Sequence, residues 1–178
     1  ARFVFPVMTT GELYDMMLET CGRYRWEICR KILGVRWNDI REKSLTSEFY
    51  DYIQFYRKNR DLSQQAKERV KADLVHAKNN YREVFVGDYL GWMKFESQGN
   101  FRLNKVSRRI IAEYVPFKAE VRKKLEENPM YKELFTKSNI IMARKREKEK
   151  ALYDRYVAAG GVITPELQAH LKYYGINM

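Results

Sequence analysis

The sequence predicts an all-α protein of stacked antiparallel helical hairpins, a short α-solenoid. Three observations predict it. The octet TGELYDMM, beginning at Thr10, returns 36 residues later as TSEFYDYI, beginning at Thr46. Similarity at a fixed period of this size is the mark of a repeated helical unit. Apolar residues recur three and four positions apart along most of the chain, the spacing of one helix face. Glycine (9) and proline (4) are sparse among 178 residues, which disfavours a turn-dense β-protein.

The first unit covers about residues 9–35. Thr10 caps a helix whose Leu13, Met16, Met17 and Cys21 share a face, and Gly22 ends it. A second stripe of Trp26, Cys29, Ile32 and Leu33 follows, closed by Gly34. Helix, turn and helix make an αα-hairpin. The second unit spans about 45–78. Here Thr46 caps, Phe49, Ile53 and Tyr56 form the stripe, and KNRD supplies the turn. Ser63 caps the partner helix of Ala66, Val70 and Leu74, which weakens at the Asn pair after Lys78.

A third unit, about 86–113, aligns VGDYLGWM with TSEFYDYI at a shift of 40. Tyr89, Trp92 and Met93 hold its apolar positions, Gly99 and Asn100 turn the chain, and Asn104 caps a helix carrying Val106, Ile110 and Ile111. A fourth unit lies at about 150–175. Its LYD at Leu152 lies on a helical stretch led into by the run from Arg144 and stopped by Gly160 and Gly161. TPEL at Thr164 then starts a helix of Leu167, Leu171 and Tyr174, ended by Gly175. A non-repeat helical insertion fills about 115–149. It holds a Phe117, Val121, Leu125 helix ended at Asn128, an apolar patch at Leu134–Met142, and the charged run RKREKEK from Arg144. Each hairpin exposes an apolar face that a neighbour must cover, which is the physical reason to stack them into a single domain.

Thirty-four Lys and Arg against 23 Asp and Glu give a net charge of +11. That balance fits an acidic partner such as RNA, an anionic membrane face or an acidic protein, and it also fits a basic compartment. Cys21 and Cys29 are too few for a disulfide framework and read as small buried thiols. No apolar run reaches the roughly 18 residues of a membrane span.

Little in the sequence points to catalysis. His76 and His170 are the two histidines, and no zinc-ligand spacing surrounds them. There is no Gly-rich phosphate loop of either common pattern. The expectation is therefore no catalytic residue, no cofactor and no metal. RYRWEICRK and FYRKNR interleave cations with aromatic residues, which suits nucleic acid and equally suits a core stripe beside a wet face. The run from Arg144 to Lys150 reads as a solvated helix or as a contact for an acidic partner. Trp37, between the first two units, and Tyr173, near the end, are the candidate anchors for a protein partner, and both also fit a core.

The stretches TGELYDMMLETCGRYRWEICRKIL, TSEFYDYIQFYRKNRDLSQQAKERV and LYDRYVAAGGVITPELQAHL resemble pentatricopeptide repeats. Within that family the chain resembles the small accessory subunits on the mitochondrial F1 ATP synthase of euglenozoan protists. The resemblance implies a non-catalytic subunit docked outside the F1 catalytic head, with the α subunit surface as its contact, in the mitochondrial matrix or on the matrix face of the inner membrane. The alternative it implies is an RNA-associated protein of the mitochondrial ribosome or RNA-processing machinery. The family's main base-reading position falls on Gly11, Ser47 and Gly87, of which Ser47 alone offers a side chain.

Overall fold

The computed structural model describes residues 11–115, 119–165, 167–168, 171 and 175–176. Among them the protein is all-α, with helices packed on one another and no strand. The helices are α1 (Leu13–Leu33), α2 (Leu45–Gln54), α3 (Gln64–His76), α4 (Tyr81–Lys94), α5 (Lys105–Tyr114), α6 (Ala119–Glu126) and α7 (Pro129–Ala158). None is long and apolar enough to cross a membrane. The chain forms two compact units, residues 1–125 and 126–178.

In the first unit, α1 and α4 lie antiparallel. Asp15 meets Lys94 at 2.8 Å towards one end, and Glu27 meets Arg82 at 2.9 Å towards the other. α2 and α5 pair the same way. Asn104 Nδ2 donates to the Tyr52 hydroxyl at 2.7 Å, and the Tyr114 hydroxyl donates to Glu48 at 2.7 Å. Trp26, Phe49, Phe85 and Trp92 are all buried. The Phe49 and Phe85 rings meet edge to face at 5.3 Å, and the Trp26 and Phe85 rings lie 5.4 Å apart. Such pairs each add about 0.5–1.5 kcal/mol beyond the area they bury.

The first unit departs from the sequence reading at α1. Gly22 does not end a helix: α1 runs unbroken to Leu33, and Gly34, at φ +56°, closes it as expected. Gly22 is buried, and a Cβ there would stand 3.0 Å from Cδ1 of Tyr89. Its missing side chain lets α4 approach α1 closely, so the glycine serves packing rather than termination. The face of α1 is thus covered by α4, and no hairpin forms inside residues 13–33.

Other local expectations shift as well. Thr46 does not cap α2. Ser44 does, through a reciprocal capping box with Ser47, while buried Thr46 donates its hydroxyl to the Trp37 carbonyl at 2.7 Å. α4 begins at Tyr81, capped by Asn80, and the aligned octet from Val86 sits inside it. Cys21 is exposed and Cys29 half-buried, so neither is a core thiol. Ser63 and Asn104 cap α3 and α5 as their sequence positions predict. The cap expected at Thr10, and Phe117 and Tyr174, lie outside the described residues.

In the second unit, Asn128 caps α7 with Pro129 in its first turn. At 1.5 Å per residue, its 30 residues span about 45 Å. Tyr131 and Phe135 are buried and stack at 6.0 Å. Beyond Met142 the helix is largely exposed, which agrees with a solvated run from Arg144 and carries it straight into LYD. Gly160, at φ +81°, follows its end. Thr164 Oγ1 then accepts the Leu167 N–H at 3.3 Å, as a capping threonine does. Leu171 is buried, and its carbonyl accepts the Ile176 N–H at 3.0 Å across Gly175.

Candidate functional site

Two connections in the first unit are built alike. Phe55 caps the end of α2, its N–H still bonding the Asp51 carbonyl, and Phe95 caps the end of α4, its N–H bonding the Gly91 carbonyl. Each helix then tightens into a 3-10 turn, Tyr56–Lys58 and Glu96–Gln98. Asn59 leaves the first turn, with its side-chain oxygen accepting the Asp61 N–H at 2.9 Å. Gly99, at φ +87°, leaves the second, where a side chain would strain the backbone. A capped helix follows each.

The turns carry cations set against rings. The Arg102 guanidinium lies 3.8 Å from the Phe95 ring centroid. Arg57 sits over Tyr56 at 5.6 Å, Lys58 over Phe55 at 5.9 Å and Arg108 over Phe101 at 5.4 Å. Phe55 and Phe101 are 46% and 39% exposed, unusual for phenylalanine. Contacts join the second connection to α3 and to the end of the first. Arg69 of α3 donates to the Arg102 carbonyl at 3.2 Å, and Lys105 stands 3.9 Å from Asp61.

Beneath the second turn lies a buried ion pair. Glu96 is fully buried and Arg108 nearly so. Arg108 Nε donates to Glu96 Oε2 at 2.8 Å, and its Nη2 donates to Oε1 at 3.1 Å and to the Leu103 carbonyl at 2.7 Å. Glu96 Oε1 also accepts the N–H groups of Arg102 and Leu103, each at 2.6 Å. A charge with this many partners can be kept dry, and it fixes the loop that presents Phe101 and Arg102.

A cavity of about 850 Å³ opens beside this turn, walled by Arg69, Asp73 and His76 from α3, by Asp88 and Gly91 from α4, and by Arg102. The Ser107 hydroxyl donates to Asp88 at 2.5 Å. Burial pushes the Asp88 carboxyl up to about 7, with Ser107 pulling the other way and nearby Asp73 adding to the rise. Burial raises Asp73 too. The Tyr52 phenol is held neutral first by burial and then by the Asp88 charge. On the α1 side, Arg23 grips Glu83 at 2.9 Å. Burial opposes ionisation of Glu83, but Arg23 and Arg82 hold its carboxyl below the usual range.

Trp37, a sequence candidate, is half-buried. Its ring packs edge-on against Tyr50 at 5.3 Å and Trp26 at 6.1 Å, and it borders a shallow groove of about 460 Å³ with Arg30 and Tyr81. Tyr173 and His170 lie outside the described residues. His76 is exposed at the cavity mouth. Ser47, the base-reading candidate, is fully buried inside the α2 capping box and presents nothing to a ligand. Among the described residues no group of three or more His, Cys, Asp or Glu is placed to hold a metal.

Sequence reasoning missed Asp88 with Ser107 and Glu96 with Arg108. One signal was present for the turns: the shift of 40 that aligns Val86–Met93 with Thr46–Ile53 also carries Phe55 onto Phe95.

A family model described as a domain of unknown function (DUF8509) matches residues 34–173. The span begins at the residue that closes α1, so both turns lie inside it and α1 lies outside. No curated protein matches the chain, and no solved structure does.

Proposed function

The chain belongs to the DUF8509 family, a domain of unknown function, and we propose that it acts as a non-catalytic subunit that docks on a larger mitochondrial assembly. One observation carries this reading. Leu13, Tyr14 and Met17 are 58%, 59% and 48% exposed in the first turns of α1. Cys21, also exposed, continues the same face one turn on. Polar residues normally fill the solvent side of a helix, and a contiguous apolar stripe there is the usual mark of a protein contact. The net charge of +11 favours a partner of acidic surface.

The resemblance to F1 accessory subunits makes the outside of the ATP synthase F1 head the assembly to test first. Gentle affinity purification of the tagged chain from its own mitochondria, followed by mass spectrometry, is the test. The expected result is recovery of the ATP synthase α and β subunits in fixed stoichiometry, persisting in moderate salt. Recovery of ribosomal proteins and RNA without those subunits overturns the F1 assignment.

A second reading, an RNA-associated protein of the mitochondrial ribosome or RNA-processing machinery, is favoured by a different observation. The paired turns place exposed cations beside exposed rings, a combination suited to nucleic acid. Salt separates the two readings, because contacts to phosphates weaken steeply as counterions compete.

A further inference from the structure

We propose that the two connecting turns, residues 55–61 and 95–105, form one binding site for a single-stranded nucleic acid, with phosphates held by the cations and bases stacked on the exposed rings and the Arg102 plane. The proposal deepens the second reading above and rests on it for the class of partner. What it adds is the site, the strandedness of the ligand and the role of each side chain.

Charge is the first argument. Arg57, Lys58, Arg60, Arg102 and Lys105 are exposed on the turns, and Arg69 is exposed on α3, where it donates to the Arg102 carbonyl. The turns hold two acids. Asp61 is exposed, while Glu96 is buried and engaged by Arg108. The surface offered to solvent is therefore strongly cationic, and a polyanion is its complement.

Flat faces are the second argument, and they decide between polyanions. An acidic peptide or a polyphosphate would satisfy the cations and leave Phe55 and Phe101 in water. Arg102 rests one face of its guanidinium on Phe95 at 3.8 Å. The side chain is exposed, so the outer face can receive a base. Bases stack readily on aromatic rings and on guanidinium planes, and they can do so only where they are not already stacked in a duplex. The ligand is accordingly single-stranded.

Preorganisation is the third argument. Glu96 holds the Arg102 and Leu103 backbone N–H groups at 2.6 Å each. The loop is ordered by folding, so binding does not bear that entropic cost. The site differs in position from the base-reading residues expected by the repeat resemblance, since Ser47 is buried in its capping box.

The test uses the full chain and a fluorescently labelled short oligouridylate, read by anisotropy across a salt series. A duplex of equal length and inorganic polyphosphate serve as comparison ligands. The oligouridylate is expected to bind more tightly than the duplex. Combined Arg57→Ala, Arg60→Ala and Lys105→Ala should weaken it at least about tenfold and make the log–log salt slope shallower by about two units, at about 0.7 per phosphate contact on a single strand. Arg102→Lys keeps the charge and loses the plane, so affinity should fall about fivefold or more with the slope unchanged. Lys123→Ala with Lys124→Ala on α6 should change nothing. All these side chains are exposed, and circular dichroism checks that each variant stays helical.

Absence of oligouridylate binding, equal affinity for the duplex, full competition by polyphosphate at matched phosphate concentration, or indifference to the turn substitutions would each overturn the site. Such a failure leaves ribosomal co-purification through protein contacts intact, so this proposal and the reading beneath it fail separately.

Discussion

Two carboxylates in the first unit show what a single residue can decide. Asp88 accepts the Ser107 hydroxyl, and burial lifts its carboxyl to about 7. A carboxyl whose folded value is raised binds protons more readily in the folded chain than in the unfolded one, whose value is about 3.9. Its stabilising contribution is therefore complete below about pH 4 and is lost as pH rises through 7. Asp88→Asn keeps an oxygen for Ser107 and removes the charge. The variant is expected to be more stable than the parent at alkaline pH, with the gap closing on acidification, when urea unfolding is followed at both extremes. Parallel pH profiles for the two proteins would contradict that assignment.

Glu96 is a different case, because its charge is fully partnered by Arg108 and two backbone N–H groups. Glu96→Ala strands a cation that is 9% exposed and should cost about 3–5 kcal/mol. Adding Arg108→Met should cost less than the two single changes summed, while remaining below the parent because the loop N–H groups still lack their acceptor. A double-mutant cycle in urea reads this directly.

Among the elements, α1 teaches most. A glycine directly after one apolar run and shortly before a fresh one reads as a hairpin turn. Helix propensity alone disfavours glycine by only about 1 kcal/mol against alanine, and a continuous helix is reached when packing outweighs it. Gly22 does so by letting the Tyr89 ring sit against the α1 backbone. Gly22→Leu should drive these helices apart and destabilise the fold by about 1–3 kcal/mol, the usual cost of overpacking. Thermal unfolding would register this as a lower midpoint, and an unchanged midpoint would mean that α1 and α4 do not depend on the close approach. Caps were more legible. Ser63, Asn80 and Asn104 each accept backbone N–H groups at helix starts, because capping is a local bond that needs nothing beyond the next three residues. Thr46 and Asn80 are the exceptions: Ser44 caps α2 in place of Thr46, and Asn80, where the sequence predicts only a weakening helix, also begins α4.

For the molecule as a whole, the apolar face of α1 and the cationic turns are two surfaces with different physics. Burying Tyr14 and Met17 against a partner should tolerate salt, since the driving force is removal of apolar area from water. Tyr14→Glu with Met17→Glu places charge in that contact. Recovery of the native assembly in pull-downs is expected to drop about tenfold or more, as charge at the core of an interface does. Circular dichroism should stay unchanged, because both side chains are exposed. Undiminished recovery would remove α1 from the interface.

What the sequence determined by itself was the class of the protein and the local grammar of its helices: all-α, with sparse breakers, period-matched apolar faces, and the stops at Gly34, Gly99 and Gly160. These follow from propensities and hydrogen bonds that act within a few residues. Tertiary structure alone decided that α1 stays whole and rests on α4, that Glu96 finds Arg108, and that Asp88 meets Ser107. It also decided that the ends of the two connections meet, with Lys105 3.9 Å from Asp61 and Arg69 of α3 bonded to the Arg102 carbonyl. Each of these joins residues on different elements. The preference for it resides in close packing and in the cost of leaving a buried charge without a partner, neither of which any single stretch of chain expresses.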